Sequence, residues 1–210
     1  MSSHVFLVRS GETKWRATDR LLGRRDIGLS EAGEAQAEHA IGLLGDVEVA
    51  EILTSPLERT MATAAHFAKR YSVEIARDRR LTALDVGKWE GATSKETSEA
   101  DEFQSFLAGG ATGFPDGEQF AQVRGRMTAS VEQALDDNPG GANIVIVSHG
   151  GPLRVLLAHY LGIPLGQYHG LQLMHGGLSI VRFDADLAEA WVMGINVGQL
   201  VPTLLTSPLS

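Results

Sequence analysis

The stretch VFLVRSGETKWR, residues 5–16, decides the fold, because an apolar run ends abruptly in polar residues. Val5–Val8 is typical of a buried strand, and Arg9, Ser10 and Gly11 then open a polar turn. In α/β sheets with parallel strands, ligands bind beyond the carboxyl ends of the strands. The stretch therefore predicts a strand that ends at a ligand site.

The rest of the chain alternates short apolar runs with helical patterns. Further strands are predicted at Glu51–Leu53, Val73–Ala76, Ile144–Val147, Leu178–Phe183 and Ala188–Val192. Helices are predicted at Ser30–Leu44, at Pro56–Arg70, within Asp116–Leu135 and at Pro152–Leu161. Ser30 is the expected N-cap of the first helix, and Pro56 suits the first turn of the second. This alternation indicates an α/β fold, a three-layer α/β/α sandwich with a mostly parallel central sheet.

The domain organisation is expected to be simple, with a single domain over residues 1–210. Residues 86–118 differ from the rest, because they are rich in Gly, Ser, Thr and acidic residues. We interpret them as a lid-like excursion inserted over the pocket rather than as a separate domain. Aromatic residues here could line the pocket or simply pack; they include Trp89, Phe103, Phe106 and Phe114.

Composition excludes several classes of protein. The net charge of −8 argues against a nucleic-acid partner or an anionic membrane partner. The chain has no cysteine, so disulfides, thiolate metal sites and a cysteine nucleophile are excluded. There is no apolar stretch of membrane-spanning length and no secretory signal pattern, so we expect a cytoplasmic protein. We expect no cofactor and no metal, and a homodimer is plausible for a chain of this kind.

Four basic residues follow strands or begin helices, and they are candidates for an anion site. Arg9 and His149 directly follow predicted strands, Arg59 lies early in a helix, and Arg154 lies one helical turn after His149. Guanidinium groups bind phosphate or carboxylate in a bidentate manner, so the set suits a small anion. The alternative is that Arg9 and Arg59 pair with surface carboxylates and that His149 is a core histidine.

Further residues could extend such a site. Trp15 could contact a partly apolar ligand, and Arg16 could add charge at the rim or lie in solvent. Arg24 could bind the anion or pair with Asp26, and Glu90 could move a proton or be required by its turn. His169 and His175 are six residues apart with no third ligand, which favours core or surface histidines over a metal site.

Six segments in order resemble the histidine phosphatase superfamily, in its phosphoglycerate-mutase-like branch. They are LVRSGET (7–13), GRRDIGLSEAGEAQA (23–37), TSPLERTMATA (54–64), VGKWEG (86–91), FPDGEQF (114–120) and VSHGGPLRVL (147–156). The resemblance covers most of the chain. It implies the fold of that family and a site in which a histidine is phosphorylated.

The resemblance also implies roles for individual residues. Arg9 and Arg59 match the arginines that hold the phosphate, and His149 matches the second histidine, which stabilises the transferring phosphoryl group. Ser10 stands where the family has its nucleophilic histidine. Ala83 stands where the family has a glutamate as general acid, although Asp85, two residues later, could replace it.

These departures change the expected chemistry. A serine hydroxyl is a poor nucleophile without a base, and a general acid typically contributes about 10²–10⁴-fold to a rate. Ordinary phosphatase or mutase activity should therefore be weak or absent. We favour a repurposed enzyme in which Ser10, His149 and Asp85 act on a small anionic metabolite, for example one of specialised metabolism. The alternatives are a non-catalytic pseudophosphatase that binds a phosphorylated ligand, and a phosphomonoesterase with an engineered change from histidine to Ser10.

Overall fold

A six-stranded sheet forms the centre of the computed structural model, which describes residues 2–15, 20–101, 108, 111–184 and 189–198. The strands are β1 (Ser2–Arg9), β2 (Glu51–Thr54), β3 (Ile75–Arg77), β4 (Asn143–Ser148), β5 (Leu178–Asp184) and β6 (Glu189–Gly194). Their order across the sheet is β3-β2-β4-β1-β5-β6. Strands β1 to β4 are parallel, whereas β5 and β6 pair in the antiparallel sense.

Helices connect the strands and cover the sheet. The α-helices are α1 (Glu31–Leu44), α2 (Glu58–Tyr71), α3 (Ser94–Ser98), α4 (Phe120–Asp137) and α5 (Gly150–Tyr160). Short 3₁₀ helices lie at Arg79–Leu81, Gly87–Trp89 and Leu165–Gly170. Ser30 caps α1 as predicted, because its hydroxyl accepts a hydrogen bond from the Gly33 amide at 3.1 Å.

The core lies on both faces of the sheet, as the alternation of side chains along β1 shows. Phe6 and Val8 belong to one apolar cluster, whose helical members come from α1 and α2. Val5 and Leu7 belong to the other, whose helical members come from α4 and α5. The predicted α/β sandwich is therefore confirmed, with a mixed sheet that is parallel in four of its strands.

Two local predictions were wrong. Pro56 precedes α2 rather than lying in its first turn, because the extended Leu57 caps the helix and its carbonyl accepts the first helical hydrogen bonds. The helix predicted from Pro152 begins two residues earlier, at Gly150 of α5, because His149 is the N-cap and its carbonyl accepts from Leu153 at 3.1 Å. The other predicted elements are present, with ends displaced by a few residues.

Parallel pairing of β1 with β4 positions the candidate residues. Arg9 is in register with Ser148, and the Ser10 amide donates to the Ser148 carbonyl at 2.9 Å. Ser10 and His149 therefore leave the sheet side by side. The turn after β1 also packs directly on α1: a side chain on Gly11 would strike the backbone of Gly33, and one on Gly33 would strike the backbone of Glu12.

The predicted excursion over residues 86–118 is described in part. It contains the 3₁₀ turn Gly87–Trp89 and the short helix α3, and the ring of Trp89 meets Phe114 edge-on at 5.6 Å. Phe103 and Phe106 lie outside the described residues. The role of this segment as a lid stays a prediction.

Candidate functional site

A cavity of about 570 Å³ lies at the carboxyl ends of β1 and β4. Its described lining includes four arginines, namely Arg9, Arg20, Arg59 and Arg154. It includes three histidines, namely His149, His169 and His175. Ser10, Trp15, Ala83 and Phe114 also contribute. Among the described lining residues there is no Asp or Glu, so a protein of net charge −8 carries a cationic cavity.

His149 is buried at the N-cap of α5, with 5% of its surface exposed. Its Nδ1 lies 3.1 Å from Nε of Arg59, and its Nε2 lies 2.8 Å from the Ser55 hydroxyl. Because a guanidinium can only donate, Nδ1 must accept, and the ring proton is on Nε2, which donates to Ser55. Burial, with the nearby charge of Arg59, holds the pKa of His149 well below 6.5. His149 is therefore a neutral imidazole with both nitrogens engaged.

Arg59 is buried at the start of α2, with 3% of its surface exposed. Besides His149, its guanidinium donates to the carbonyls of Gly23 at 2.9 Å and Arg25 at 2.8 Å. Burial lowers the pKa of Arg59 to about 10, so the group stays cationic at neutral pH. Arg59 therefore joins the loop before α1 to the histidine turn while it presents positive charge to the cavity.

Arg9 is held by the segment that leads into β5. Its guanidinium donates to the Leu173 carbonyl and to the ring of His175, where Nη2 of Arg9 lies 2.7 Å from Nε2. Since His175 accepts at Nε2, its ring proton lies on Nδ1, which faces the Ser10 carbonyl at 3.3 Å. Sequence reasoning missed this role for His175. The available signal was its position just before an antiparallel strand, because such a strand begins at the edge where its neighbour β1 ends.

Ser10 lines the cavity with 4% of its surface exposed. Within the described part of the chain, its hydroxyl has no hydrogen-bond partner, and Nε2 of His149 faces Ser55 instead. Ala83 also lines the cavity, and its carbonyl accepts from Arg24 and Arg126, each at 3.3 Å. The two positions where the resemblance implies catalytic groups therefore both face the cavity.

Three candidates from the sequence do not line the cavity. The Asp85 carboxylate pairs with Arg24 at 3.3 Å and accepts from the Gly87 amide at 3.0 Å. Glu90 accepts from the Arg25 amide at 2.7 Å. Asp85, Arg24 and Glu90 are thus committed to a loop network beside the cavity. Arg16 lies outside the described residues.

Two kinds of feature are absent from the described residues. No group of three or more His, Asp or Glu side chains there could hold a metal ion. No helix of that part of the chain is long and apolar enough to cross a membrane.

Comparisons with known proteins agree with this architecture. Residues 5–195 match the model of the histidine phosphatase superfamily, branch 1. A probable phosphoglycerate mutase GpmB from Yersinia enterocolitica is 34% identical over 194 residues, which is 90% of each chain. The homologous protein of the same description from Cronobacter sakazakii is also 34% identical over 194 residues, again 90% of each chain.

Solved structures show the same fold. YhfR of Bacillus stearothermophilus is 29% identical with a TM-score of 0.82, over 95% of this chain and 98% of that one. A phosphoserine phosphatase from Entamoeba histolytica, solved with 3-phosphoglyceric acid, is 26% identical with a TM-score of 0.81, over 94% and 98% of the two chains. The chain belongs to the histidine phosphatase superfamily, and its homologues include phosphoglycerate-mutase-like proteins.

Proposed function

We propose that the cavity binds a small phosphate-bearing metabolite and that this chain does not turn it over through a phosphohistidine. The observation that carries the proposal is the cavity itself: four arginines line it, no described carboxylate does, and serine occupies position 10. The amino end of α5 also opens into it at Gly150 and Gly151, which adds partial positive charge where an anion would bind.

Phosphoryl transfer through Ser10 lacks two groups in this arrangement. A base must take the hydroxyl proton, yet Nδ1 of His149 already accepts from Arg59, and Nε2 carries the proton. A general acid must protonate the leaving oxygen, yet Ala83 has no acidic group and Asp85 is paired with Arg24 outside the lining. Binding needs neither group, only the cationic lining.

A repurposed enzyme with Ser–His chemistry is the second candidate function. The observation that favours it is the juxtaposition of Ser10 and a neutral His149 at the ends of neighbouring parallel strands. Acid–base work would require Arg59 or Ser55 to release one imidazole nitrogen when a substrate enters. Catalytic hydrogen bonds are often poorly aligned before substrate binds, so this rearrangement is compatible with the fold.

The binding proposal is tested by calorimetry and thermal unfolding with a panel of phosphate monoesters and alkyl phosphonates. We expect saturable binding, with stabilisation that grows with ligand concentration. Replacement of Arg59 or Arg9 by methionine should weaken binding by at least about tenfold, because each removes a charge-assisted contact. Arg124→Met is the matched control, since Arg124 is exposed on α4.

The outcomes separate the two candidates. If no ester or phosphonate binds, the proposal is wrong. If esters are consumed, and His149→Ala stops the reaction in a protein that remains folded, the chain is an enzyme and the second candidate replaces the first.

A further inference from the structure

The cavity is cationic at its base but apolar along one side. Its base is formed by Arg9, Arg59 and His149, at the ends of β1 and β4 and the start of α2. We call the apolar lining the apolar wall, and it consists of Leu21, Leu22, Ala83, Leu84, Val86 and Phe114. These side chains can neither donate nor accept a hydrogen bond. A phosphate group fills only a small part of about 570 Å³, so most of the cavity is left for the group that the phosphate carries.

The apolar wall adjoins the start of α5. Gly150, the first residue of that helix, faces Arg9, and a Cβ atom on the next residue, Gly151, would overlap with Cδ1 of Leu84. Leu84 therefore lies directly against the turn of helix that a bound anion would meet. The first carbon atoms beyond a bound phosphate are within reach of this apolar surface.

The apolar wall also adjoins Arg59. The carbonyl of Gly23 accepts from the Arg59 guanidinium at 2.9 Å, and a Cβ atom on Gly23 would lie 2.8 Å from Cγ2 of Val86. Leu22 precedes this glycine and lines the cavity from the same loop. The segment from Ala83 to Val86 is thus held between the start of α5 and the loop that precedes α1, beside both arginines of the proposed phosphate site.

Packing within the protein fixes the apolar wall in place. Phe114 is buried, and its ring meets that of Phe120 edge-on with 5.8 Å between the ring centres. Ala83 is buried as well, and its carbonyl accepts from both Arg24 and Arg126. Because protein donors already occupy this carbonyl, a ligand hydroxyl at Ala83 would find no acceptor there.

We infer that the ligand is a phosphate monoester whose esterified group is a hydrocarbon, and that the apolar wall selects it over the phosphates of sugars and other polyols. The inference rests on the proposed function, because it assigns the group that the bound phosphate carries. Each methylene that leaves water for the wall should tighten binding by about two- to fourfold. A hydroxyl group in the same place would give up its hydrogen bonds to water without replacement, which weakens binding.

The test is calorimetry on the intact protein with phosphonates, which have no ester bond to break. From methyl through propyl to hexyl phosphonate, we expect the affinity to rise at each step, by at least about tenfold over the series. Propyl phosphonate is then compared with 2,3-dihydroxypropyl phosphonate, which adds hydroxyl groups to the same carbon chain. We expect the dihydroxy compound to bind at least about tenfold more weakly.

Leu22→Asn tests the apolar wall itself, since asparagine places a polar amide where leucine has methyl groups. It should reduce the ratio of hexyl to methyl phosphonate affinity by at least about threefold. Leu161→Asn is the matched control, because Leu161 is exposed at the end of α5 away from the cavity, and it should leave the ratio as it is. Unfolding curves of both variants without ligand verify that the fold is intact.

The inference is overturned if methyl and hexyl phosphonate bind equally well, or if the dihydroxy compound binds as tightly as propyl phosphonate. It is also overturned if Leu22→Asn leaves the affinity ratio as it is, or if Leu161→Asn lowers the ratio as much, because the hydrocarbon then binds elsewhere. If no phosphonate binds at all, it is the proposed phosphate site that fails.

Discussion

Nε of Arg59 donates to Nδ1 of His149 over 3.1 Å, and this contact determines which protons the site can move. It places the imidazole proton on Nε2, where Ser55 accepts it at 2.8 Å. Ser10 lies next to His149 at the carboxyl ends of β1 and β4, yet it is not paired with a base. The proton transfers available to this site therefore depend on Arg59 as much as on Ser10.

The first prediction concerns the pH dependence of stability. The pKa of His149 in the folded protein lies below its ordinary value of 6.5, so below about pH 6.5 the unfolded chain binds a proton that the folded one refuses. The contribution of His149 to the free energy of unfolding should thus be constant above about pH 7. As the pH decreases from there, the free energy of unfolding should fall by up to about 1.4 kcal/mol per pH unit. The measurement is urea unfolding of the unsubstituted protein and of His149→Gln between about pH 5 and 8, a range that brackets the pKa of histidine in the unfolded chain. It gives the slope of the free energy of unfolding against pH for each protein.

The pKa of buried His4 is lowered as well, so part of the slope will persist in His149→Gln. Equal slopes in the two proteins would show that His149 is not held neutral by the fold.

The second prediction concerns the two positions where the family has catalytic groups. Ser10→His alone should release little phosphate from monoesters, whereas Ser10→His with Ala83→Glu should be about 10²-fold faster or more, because the acid is restored. Both positions line the cavity, so the new side chains can meet a ligand there. Phosphate release at neutral pH is the measurement.

The control is Ser10→His combined with Ala83→Gln, because glutamine has nearly the shape of glutamate but no acidic proton. Fast release by Ser10→His alone would instead mean that the rest of the site is a working phosphatase and that the change at position 10 is the whole difference.

The third prediction concerns the space above Gly150. A methyl group there would lie 3.0 Å from Nε of Arg9, so the Arg9 side chain would have to shift by a few tenths of an ångström. Gly150→Ala should weaken alkyl phosphonate binding by about fivefold, equivalent to roughly 1 kcal/mol. Gly42→Ala in α1 is the matched control, since no atom lies within 4 Å of its added methyl.

Gly42→Ala should leave binding as it is and raise the free energy of unfolding by about 0.5–1 kcal/mol. Calorimetry and urea unfolding on both variants make the comparison. Native affinity in Gly150→Ala would mean that Arg9 does not contact the ligand from this position.

The fourth prediction concerns Arg126 of α4, which fixes the segment that presents Ala83. Its guanidinium binds the Glu118 carboxylate at 2.7 and 2.9 Å and donates to the Thr82 carbonyl at 2.7 Å. Arg126→Met should lower the free energy of unfolding by about 2–3 kcal/mol, because a little-exposed carboxylate and a carbonyl lose charged donors. Arg124→Met, on the exposed face of the same helix, should change it by less than about 0.5 kcal/mol. Similar losses in both variants would contradict the role given to Arg126.

Much of this architecture could be predicted from the sequence, because its signals are local. The apolar run Val5–Val8 followed by Arg9 and Ser10 indicated a strand that ends at a site, and Ser30 indicated the start of α1. Parallel pairing then had to bring the ends of β1 and β4 together. These conclusions need only hydrophobic periodicity and capping chemistry.

The side-chain partners could not be predicted in this way. Whether Asp85 faces the cavity depends on a short turn whose direction is set by Arg24 and Glu118, far away in the chain. The contact of His175 with Arg9 spans 166 positions, and no local pattern encodes it. Tertiary contacts decide such orientations, so the sequence indicated the candidates but not which of them meet.

The reciprocal contact of Gly11 and Gly33 has a consequence for how this site can vary. A side chain at either position meets backbone of the other segment, so the two positions are a single constraint shared by the turn after β1 and by α1. Substitution at one cannot be relieved by a smaller residue at the other, since both are already glycine. The turn that carries Ser10 is thereby fastened to a helix of the core, and new chemistry at this site has to arise by exchange of side chains on a fixed frame.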